Sequence, residues 1–275
     1  MAKTLLTLAT GLICAASSDS ASFEANDFRV GKKEFLLNGK PFVLRAGELH
    51  YPRIPKPYWD HRIKMTKALG MNTICIYLFW NYHEEKMDEF NFEGDRDVAE
   101  FVRLIQKNGM HCIVRPGPYV CAEWDMGGLP WWLLKKQDVR IRTFQDPFFR
   151  ERVKKWFAEV GKQLAPLQIQ NGGPILLVQV ENEYGCFGDD AEYMRETRDM
   201  LRESGFDKVE LVRCDWDSTY GKYKLDDVAI ALNFGAGSNV DVNFAGLKKT
   251  HPDMPLMCGE YWTGWFDAWG RHHET

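Results

Sequence analysis

Short apolar runs alternate with longer amphipathic stretches along the chain, and this alternation constrains the fold more than any other feature of the sequence. Short apolar runs are typical of buried strands, whereas apolar residues spaced three and four apart are typical of helices. The predicted strands are Val43–Leu49, Met71–Phe79, Met110–Arg115, Ile175–Val180, Glu210–Arg213, Val228–Leu232 and Leu256–Gly259. The predicted helices include Tyr58–Leu69, Val98–Lys107, Pro147–Leu164 and Asp190–Glu203. Gly70 and Gly205 lie just beyond two of these helices, where glycine commonly ends a helix.

Strands separated by helices, with polar and aromatic residues gathered after each strand, indicate a parallel sheet built from βα units. We predict the α/β class and a (β/α)8 TIM barrel, truncated before the eighth strand. The segment Phe35–Gly39 predicts a small hairpin that closes the bottom of the first strand. The alternative is an open doubly wound sheet, but no strand is followed by a glycine-rich dinucleotide fingerprint. Because a truncated barrel has an open edge and an exposed core, we expect this part alone to be poorly stable or inactive.

The composition narrows the function classes. With 45% hydrophobic and 27% charged residues, the chain has enough apolar side chains for a real core, and a disordered chain is not expected. A net charge of −4 and the lack of any Lys or Arg run argue against a nucleic-acid partner. The 10 Trp and 10 Tyr, many of them beside Gly and Pro, suit the flat faces of sugars, although core packing accounts for most aromatic residues in proteins.

The N-terminal residues 1–22 have the order of a secretory signal peptide. Lys3 precedes an apolar stretch from Leu5 to Ala16, and small residues continue to Ser22. The apolar stretch is too short for a permanent membrane span, and no other segment approaches that length. We therefore expect a secreted or periplasmic protein whose residues 23–275 form one domain. Beyond Cys14, the cysteines form no CxxC pair and no compact disulfide pattern.

The strand ends carry the candidate chemistry, because TIM barrels react at the carboxyl ends of their strands. Glycosidic bond cleavage requires two carboxyl groups, one to protonate the leaving oxygen and one to act at the anomeric carbon. Glu183 follows the fourth strand and Glu260 follows the seventh, so their loops are expected on opposing sides of the barrel mouth. A retaining mechanism would place these carboxyls about 5–5.5 Å apart. Glu181 is an alternative to Glu183, because periodicity does not show which carboxylate faces the mouth.

Other chemistries have little support in the sequence. The histidines show no ligand spacing such as HExxH, so we expect no metal and no other cofactor. No GxSxG elbow is present, which argues against a serine nucleophile. Cys121 lies in a loop of functional character, but it is also explained as a small residue that packs beneath Glu123.

Taken in order, several motifs resemble glycoside hydrolase family 35, the β-galactosidase family. The similarity runs from about Phe35 to Gly270. The motifs that carry it are Arg115-Pro-Gly-Pro-Tyr-Val-Cys-Ala-Glu-Trp124, Gly127-Gly-Leu-Pro-Trp131, Asn171-Gly-Gly-Pro174, Gln179-Val-Glu-Asn-Glu-Tyr-Gly185 and Thr263-Gly-Trp265. The resemblance implies a glycosidase catalytic barrel over residues 23–275 that hydrolyses terminal β-D-galactosides.

The resemblance also implies roles for individual residues. It makes Glu183 the general acid/base and Glu260 the nucleophile of a galactosyl-enzyme intermediate. Glu123, with the backbone of Cys121 and Ala122, would read the galactose hydroxyls, and Asn182 would contact the 2-hydroxyl. The remaining sugar contacts would come from Tyr77, Tyr119 and Trp265, although Tyr77 is also explained as packing within the barrel.

One position departs from the family pattern. Many members have Tyr two residues after the nucleophile, whereas this chain has Trp262, which places in doubt any hydrogen bond from a phenol there. Three alternative functions follow from the sequence. They are an exo-β-glucosaminidase or other glycosidase on the same barrel, a non-catalytic sugar-binding protein, and a metal-dependent barrel hydrolase or isomerase.

Overall fold

The computed structural model describes residues 26–264 and 266–273. The strands are β1 (Phe28–Val30), β2 (Phe35–Leu37), β3 (Lys40–Phe42), β4 (Ala46–Glu48), β5 (Thr73–Tyr77), β6 (His111–Arg115), β7 (Ile175–Gln179), β8 (Glu210–Asp215), β9 (Ala229–Gly235) and β10 (Cys258–Trp262). The α-helices are α1 (Trp59–Ala68), α2 (Trp80–His83), α3 (Val98–Lys107), α4 (Pro147–Leu164), α5 (Tyr184–Phe187), α6 (Ala191–Glu203) and α7 (Val240–Thr250). Short 3-10 turns lie at Tyr51–Arg53, Lys56–Tyr58, Gly94–Arg96, Asp125–Gly128, Trp131–Lys135, Ala165–Leu167, Ile169–Asn171 and Tyr220–Lys222.

The seven strands β4 to β10 form one parallel sheet in which each strand pairs with its sequence neighbours. The sheet is curled, because the Tyr77 hydroxyl on β5 lies 3.0 Å from Oε1 of Glu260 on β10. In a flat sheet, five strand spacings would separate these residues by roughly 24 Å. The curled sheet confirms the predicted barrel architecture over the open doubly wound alternative, and the described residues supply seven of its strands.

The strands separate two apolar layers, as the alternation of side chains along a strand requires. Ile74 and Val114 face outward and pack against the helices in one large cluster. Cys75 and Ile113, their neighbours in sequence, face inward. Aromatic residues of the antiparallel hairpin β1–β2–β3, led by the fully buried Phe28, join this inner cluster. The hairpin therefore closes the bottom of the barrel and leaves the carboxyl ends of the strands as its open mouth.

The connections differ from the predicted pattern in one place. The segment between β8 and β9 contains only the 3-10 turn Tyr220–Lys222 and no α-helix. Helix α7 is not among the predicted helices. It begins after Asn239, whose side chain accepts a hydrogen bond from the Val242 amide. No helix in residues 26–264 and 266–273 is both long and apolar enough to cross a membrane. The proposed signal peptide, residues 1–22, lies outside the described residues.

Candidate active site

The carboxyl ends of the barrel strands open into a cavity of about 1140 Å³. The cavity continues between β4 and β10, along the side where these two edge strands face one another, down to hairpin residues such as Phe35 and Phe42. The polar and aromatic side chains that line its mouth are Glu48, Tyr77, Arg115, Cys121, Glu123, Glu183, Trp216, Glu260 and Trp262.

Glu260 on β10 is held by two donors from the opposite side of the barrel. The Tyr77 hydroxyl donates to its Oε1 at 3.0 Å, and Nη2 of Arg115 makes an ion pair with the same oxygen. The Arg115 side chain is almost fully buried, and its guanidinium stacks 4.1 Å above the Tyr77 ring. Both groups donate hydrogen bonds, which suits an ionised carboxylate with no proton to give.

Arg115 connects Glu260 to two other site residues. Its Nη2 also donates to Oδ1 of Asn182 at 2.5 Å, and its Nη1 lies 3.5 Å from a carboxylate oxygen of Glu48. Burial alone would raise the pKa of Glu48, but the His50 hydrogen bond and the Arg115 charge outweigh it and hold that pKa below its ordinary value. The buried Arg115 guanidinium therefore contacts Glu260, the Asn182 side chain and Glu48 together.

Glu183 has different surroundings. Nε1 of Trp216 donates to its Oε1 at 2.6 Å, and Nδ2 of Asn233 donates to the same oxygen at 2.9 Å. Burial raises the pKa of Glu183, the Asn233 hydrogen bond opposes that rise, and the negative charge of Glu260 adds to it. No arginine or lysine in the described part of the chain forms an ion pair with Glu183. Its carboxyl is therefore favoured in the protonated form compared with an ordinary glutamate.

Glu181 and Glu183 differ in their contacts. Glu181 is fully buried and accepts two hydrogen bonds from Arg142, at 2.9 and 2.6 Å, and one from the Tyr193 hydroxyl at 2.8 Å. Glu181 does not line the cavity, whereas Glu183 does. Glu181 is therefore an internal partner of Arg142, and Glu183 is the carboxyl that faces the mouth.

We expect Glu181→Gln to destabilise the protein by about 3–5 kcal/mol, because it leaves the buried Arg142 guanidinium without its counter-charge. Glu183→Gln is a matched control two residues away. It removes a carboxylate that has no cationic partner, so we expect its free energy of unfolding to stay within about 1 kcal/mol of the parent. Urea denaturation measures both values, and equal losses would contradict the structural role of Glu181.

The loop Cys121–Glu123 forms one wall of the cavity and has an unusual backbone. All three residues have positive φ, at 60°, 56° and 47°. A left-handed conformation costs roughly 1–2 kcal/mol for each residue with a side chain, so surrounding contacts must hold it. Nη2 of Arg53 donates to the carbonyl oxygens of Ala122 at 3.0 Å and Glu123 at 2.7 Å, and its guanidinium stacks over Trp124. The strained loop is thus fixed with the Glu123 side chain beside the cavity.

The predicted site residues fall into four groups. The structure brings Tyr77, Cys121, Ala122, Glu123, Glu183 and Glu260 to the one cavity. Asn182 is buried and does not line the cavity, and Gln179 and Arg115 both donate to its Oδ1. Tyr119 does not line the cavity and instead packs against Gly127 and under the Arg142 guanidinium. Trp265 lies outside the described residues.

Four residues of the site are not among those predicted as functional. They are Glu48, Arg115, Trp216 and Asn233, of which Arg115 occurs only within a family motif. Each lies at or just beyond the carboxyl end of a predicted strand, which is the signal that identifies such positions. Within the described ranges, no group of three or more His, Cys, Asp or Glu residues is arranged to hold a metal ion.

Comparison with known proteins identifies the family of this chain. The sequence profile described as Glycosyl hydrolases family 35 matches residues 34–275. A β-galactosidase of Xanthomonas manihotis is 41% identical over 99% of this chain and 45% of its own length. β-Galactosidases of Mus musculus and Homo sapiens are 42% and 41% identical, each over 89% of this chain and 38% and 36% of their own lengths. The chain thus spans less than half the length of these relatives.

Solved structures agree on the fold. An exo-β-1,4-mannosidase from Opitutaceae bacterium strain TAV5 superposes with a TM-score of 0.63 at 14% identity, covering 80% of this chain and 46% of that one. A β-D-glucuronidase from Dictyoglomus thermophilum gives a TM-score of 0.58 at 16% identity, covering 90% and 40%. At such identities these structures support the barrel alone. The profile match and the relatives at about 41% identity confirm the resemblance seen in the sequence, and the chain belongs to glycosyl hydrolases family 35.

Proposed function

We propose that the protein is a retaining exo-glycosidase that hydrolyses terminal non-reducing β-D-galactosides. The observation that carries the proposal is a pair of glutamates in one cavity with opposite surroundings. Glu260 is paired with Arg115, whereas Glu183 has only neutral donors and a raised pKa. A double displacement requires this difference, because one carboxyl must be ionised while the other holds a proton. The relatives named β-galactosidase supply the choice of sugar.

In the first step, a carboxylate oxygen of Glu260 attacks the anomeric carbon and forms a galactosyl ester. The bond from that carbon to the leaving oxygen breaks, and Glu183 transfers its proton to that oxygen. In the second step, Glu183 removes a proton from water, which attacks the anomeric carbon and releases Glu260. Tyr77 and Arg115 hold the Glu260 carboxylate in place during both steps.

The sugar is proposed to be bound by Asn182 and by the loop Cys121–Glu123. Asn182, its oxygen held by Arg115 and Gln179, is proposed to contact the 2-hydroxyl, where a hydrogen bond strengthens in the transition state. The Glu123 carboxylate and the Cys121 and Ala122 backbone are proposed to bind the hydroxyls farther from the anomeric carbon. A fixed, strained loop suits this task because hydroxyl recognition depends on exact placement of few polar atoms.

The proposal is tested with the natural full-length protein, by hydrolysis of chromogenic β-galactoside, β-glucoside and β-glucosaminide substrates, with Glu260→Gln as the blank. Selective β-galactoside cleavage that is lost in the variant is the expected result. Preference for β-glucosaminide would retain the mechanism and replace the substrate. Absence of cleavage by the parent protein on every substrate would contradict an enzymatic function and favour a sugar-binding one.

Asn233→Ala is expected to move the alkaline limb of the kcat/KM profile to higher pH. The Asn233 amide donates to the Glu183 carboxylate and lowers its pKa, so its removal raises that pKa. A general acid works while protonated, so activity falls as pH rises through its pKa and a higher pKa extends the active range. The pH dependence of kcat/KM measures this shift. A limb that stays in place, or moves to lower pH, would contradict Glu183 as the acid.

A further inference from the structure

Trp216 and Trp262 form an aromatic corner at the cavity mouth, beside Glu183. Their ring centroids lie 5.4 Å apart with an interplanar angle of 38°. Both line the cavity, and Trp216 exposes 36% of its surface although it is large and apolar. The contact with the proposed acid is direct, because Nε1 of Trp216 donates to Oε1 of Glu183 at 2.6 Å. The corner is therefore an apolar surface in direct contact with the Glu183 carboxyl.

Trp216 is held in place by a buried polar network at the end of β8. The carboxylate of Asp215, the preceding residue, accepts hydrogen bonds from Arg213 at 2.6 Å, from the Tyr223 hydroxyl at 2.7 Å and from the Gly185 amide at 2.9 Å. The Trp216 carbonyl accepts from the Thr219 amide at 3.0 Å, which closes the turn that follows. The indole thus projects into the cavity from a rigid base.

Trp262 is placed by the strand that carries the proposed nucleophile. Trp262 follows Glu260 by two residues on β10, and both residues line the cavity, with Trp262 nearer the carboxyl end of the strand. Its carbonyl accepts a hydrogen bond from the Ala236 amide at 2.7 Å. An added Cβ at Gly235 would lie 3.3 Å from the Trp262 ring, so the absence of a side chain there makes room for the indole.

The position of the corner identifies the part of the substrate that it faces. Glu183 must reach the glycosidic oxygen within hydrogen-bond distance to protonate it. The first ring of the leaving group is bonded to that oxygen, and so it lies against the side chains that surround the Glu183 carboxyl. Trp216 is one of these, and its ring faces open cavity. The galactose ring, by contrast, is expected against the loop Cys121–Glu123 and Asn182.

We propose that Trp216 and Trp262 form a leaving-group subsite that binds a flat ring, either a pyranose or an aryl group, by stacking. Indole rings bind such faces because the C–H groups on one face of a pyranose meet the electron-rich face of the indole, and an aryl ring packs on it in an offset stack. The inference rests on the proposed function, since it locates the leaving group through Glu183 as the acid. It adds a substrate class, namely β-galactosides whose leaving group presents a flat ring.

The experiment measures binding separately from chemistry, with two thioglycosides used as inhibitors. The protein and its variants are titrated with phenyl 1-thio-β-D-galactoside and methyl 1-thio-β-D-galactoside, which share the galactose and differ in the ring. We expect the parent to bind the phenyl compound about tenfold more tightly, and the preference to fall to about twofold in Trp216→Ala and in Trp262→Ala. Trp216→Phe is the matched control, because it keeps a ring and loses the N–H, and it should retain a preference above about fivefold.

The outcomes separate the two proposals. If the parent cleaves β-galactosides and both alanine variants keep its preference for the phenyl over the methyl compound, the subsite is overturned and the proposed function still stands. A parent that neither cleaves β-galactosides nor binds either inhibitor would overturn both. Unchanged binding of the methyl compound in the variants shows that the galactose site is still folded. A rise in KM for lactose in the alanine variants would identify a pyranose leaving group, and a rise confined to phenyl β-galactoside would identify an aryl one.

Discussion

Replacing Glu260 with glutamine is expected to lower kcat on β-galactosides by roughly 10⁴-fold or more, because the amide cannot form the galactosyl ester through which both steps pass. The fold should persist in the variant. The glutamine side chain keeps the shape of the glutamate and can still accept from Tyr77 and Arg115 through its amide oxygen. The loss should therefore appear in kcat for every leaving group, including activated aryl groups, since attack at the anomeric carbon is common to all of them.

Two experiments identify the nucleophile directly, covalent labelling with a fluorosugar and the anomer of the product formed with azide. A 2-deoxy-2-fluoro galactosyl fluoride should modify the parent on the peptide that contains Glu260 and leave Glu260→Gln unmodified. In Glu260→Gly, added azide should restore turnover and yield the α-galactosyl azide, because the anion attacks from the vacated side. Glu48→Gln is the matched control, since Glu48 also approaches Arg115, at 3.5 Å, from the same cavity. Trapping at Glu48, or a β-galactosyl azide from Glu260→Gly, would sink the assignment.

The barrel was predictable because its signal is local and repeated. Each of the seven strands and each of the four named helices is found where apolar spacing placed it, and α3 and α4 have the predicted ends. The last strand is the least accurate, since Leu256–Gly259 was predicted and Cys258–Trp262 is formed, so Glu260 lies within the strand and not after it. The first strand also differs. Val43–Leu49 was predicted and only Ala46–Glu48 is formed, with Val43 largely exposed, because β4 is an edge strand that pairs on one side with β5. The apolar pattern of a sequence reflects the burial of its side chains, and the side chains of an edge strand are less buried than those of a central strand.

The choice of carboxylate was not predictable from periodicity, and the backbone shows why. In a regular strand, Glu181 and Glu183 would share a face, since they are two residues apart. Both instead have positive φ, at 61° and 47°, so the chain turns at each and sends the two side chains to different surroundings. Glutamate rarely adopts a positive φ, and nothing in the residues around Glu181 and Glu183 predicts it. Strand-end position made Glu183 a candidate with Glu181 as its alternative, and the resemblance to a family gave Glu183 the acid/base role.

Trp216 and Asn233, which donate to Glu183, could not be predicted as its partners for a different reason. Trp216 follows β8 and Asn233 lies on β9, 33 and 50 residues along the chain from Glu183. Their convergence on one carboxylate oxygen depends on the curl of the sheet and on the turn after Asp215. A strand-end position predicts that a residue faces the mouth, but it does not predict which neighbour the side chain meets.

Glu183→Gln is expected to divide substrates by their leaving group. Substrates with alkyl or sugar leaving groups need the proton most, and their kcat/KM should fall by about 10³-fold. For 2,4-dinitrophenyl β-galactoside, whose leaving group departs as an anion, kcat/KM should fall by less than about tenfold. The variant should still form the galactosyl ester on Glu260 but release it slowly, because no base activates the water. For the activated substrate, kcat and KM should therefore fall together, with a burst of dinitrophenol in the first turnover.

The acid role is separable from a general loss of structure. Azide needs no general base, so it should accelerate release of the galactosyl ester in Glu183→Gly and give the β-galactosyl azide, the opposite anomer to that expected from Glu260→Gly. The alkaline limb that reports the raised pKa of Glu183 should also vanish from the kcat/KM profile of Glu183→Gln on the activated substrate. Trp216→Phe provides the matched control, since it removes one hydrogen bond to the same carboxyl and leaves the acid in place. Equal losses on activated and unactivated substrates, with the alkaline limb retained, would assign the proton transfer to another group. In a double displacement, the acid is the one residue whose loss changes the dependence on the leaving group, the dependence on pH and the anomer formed with azide.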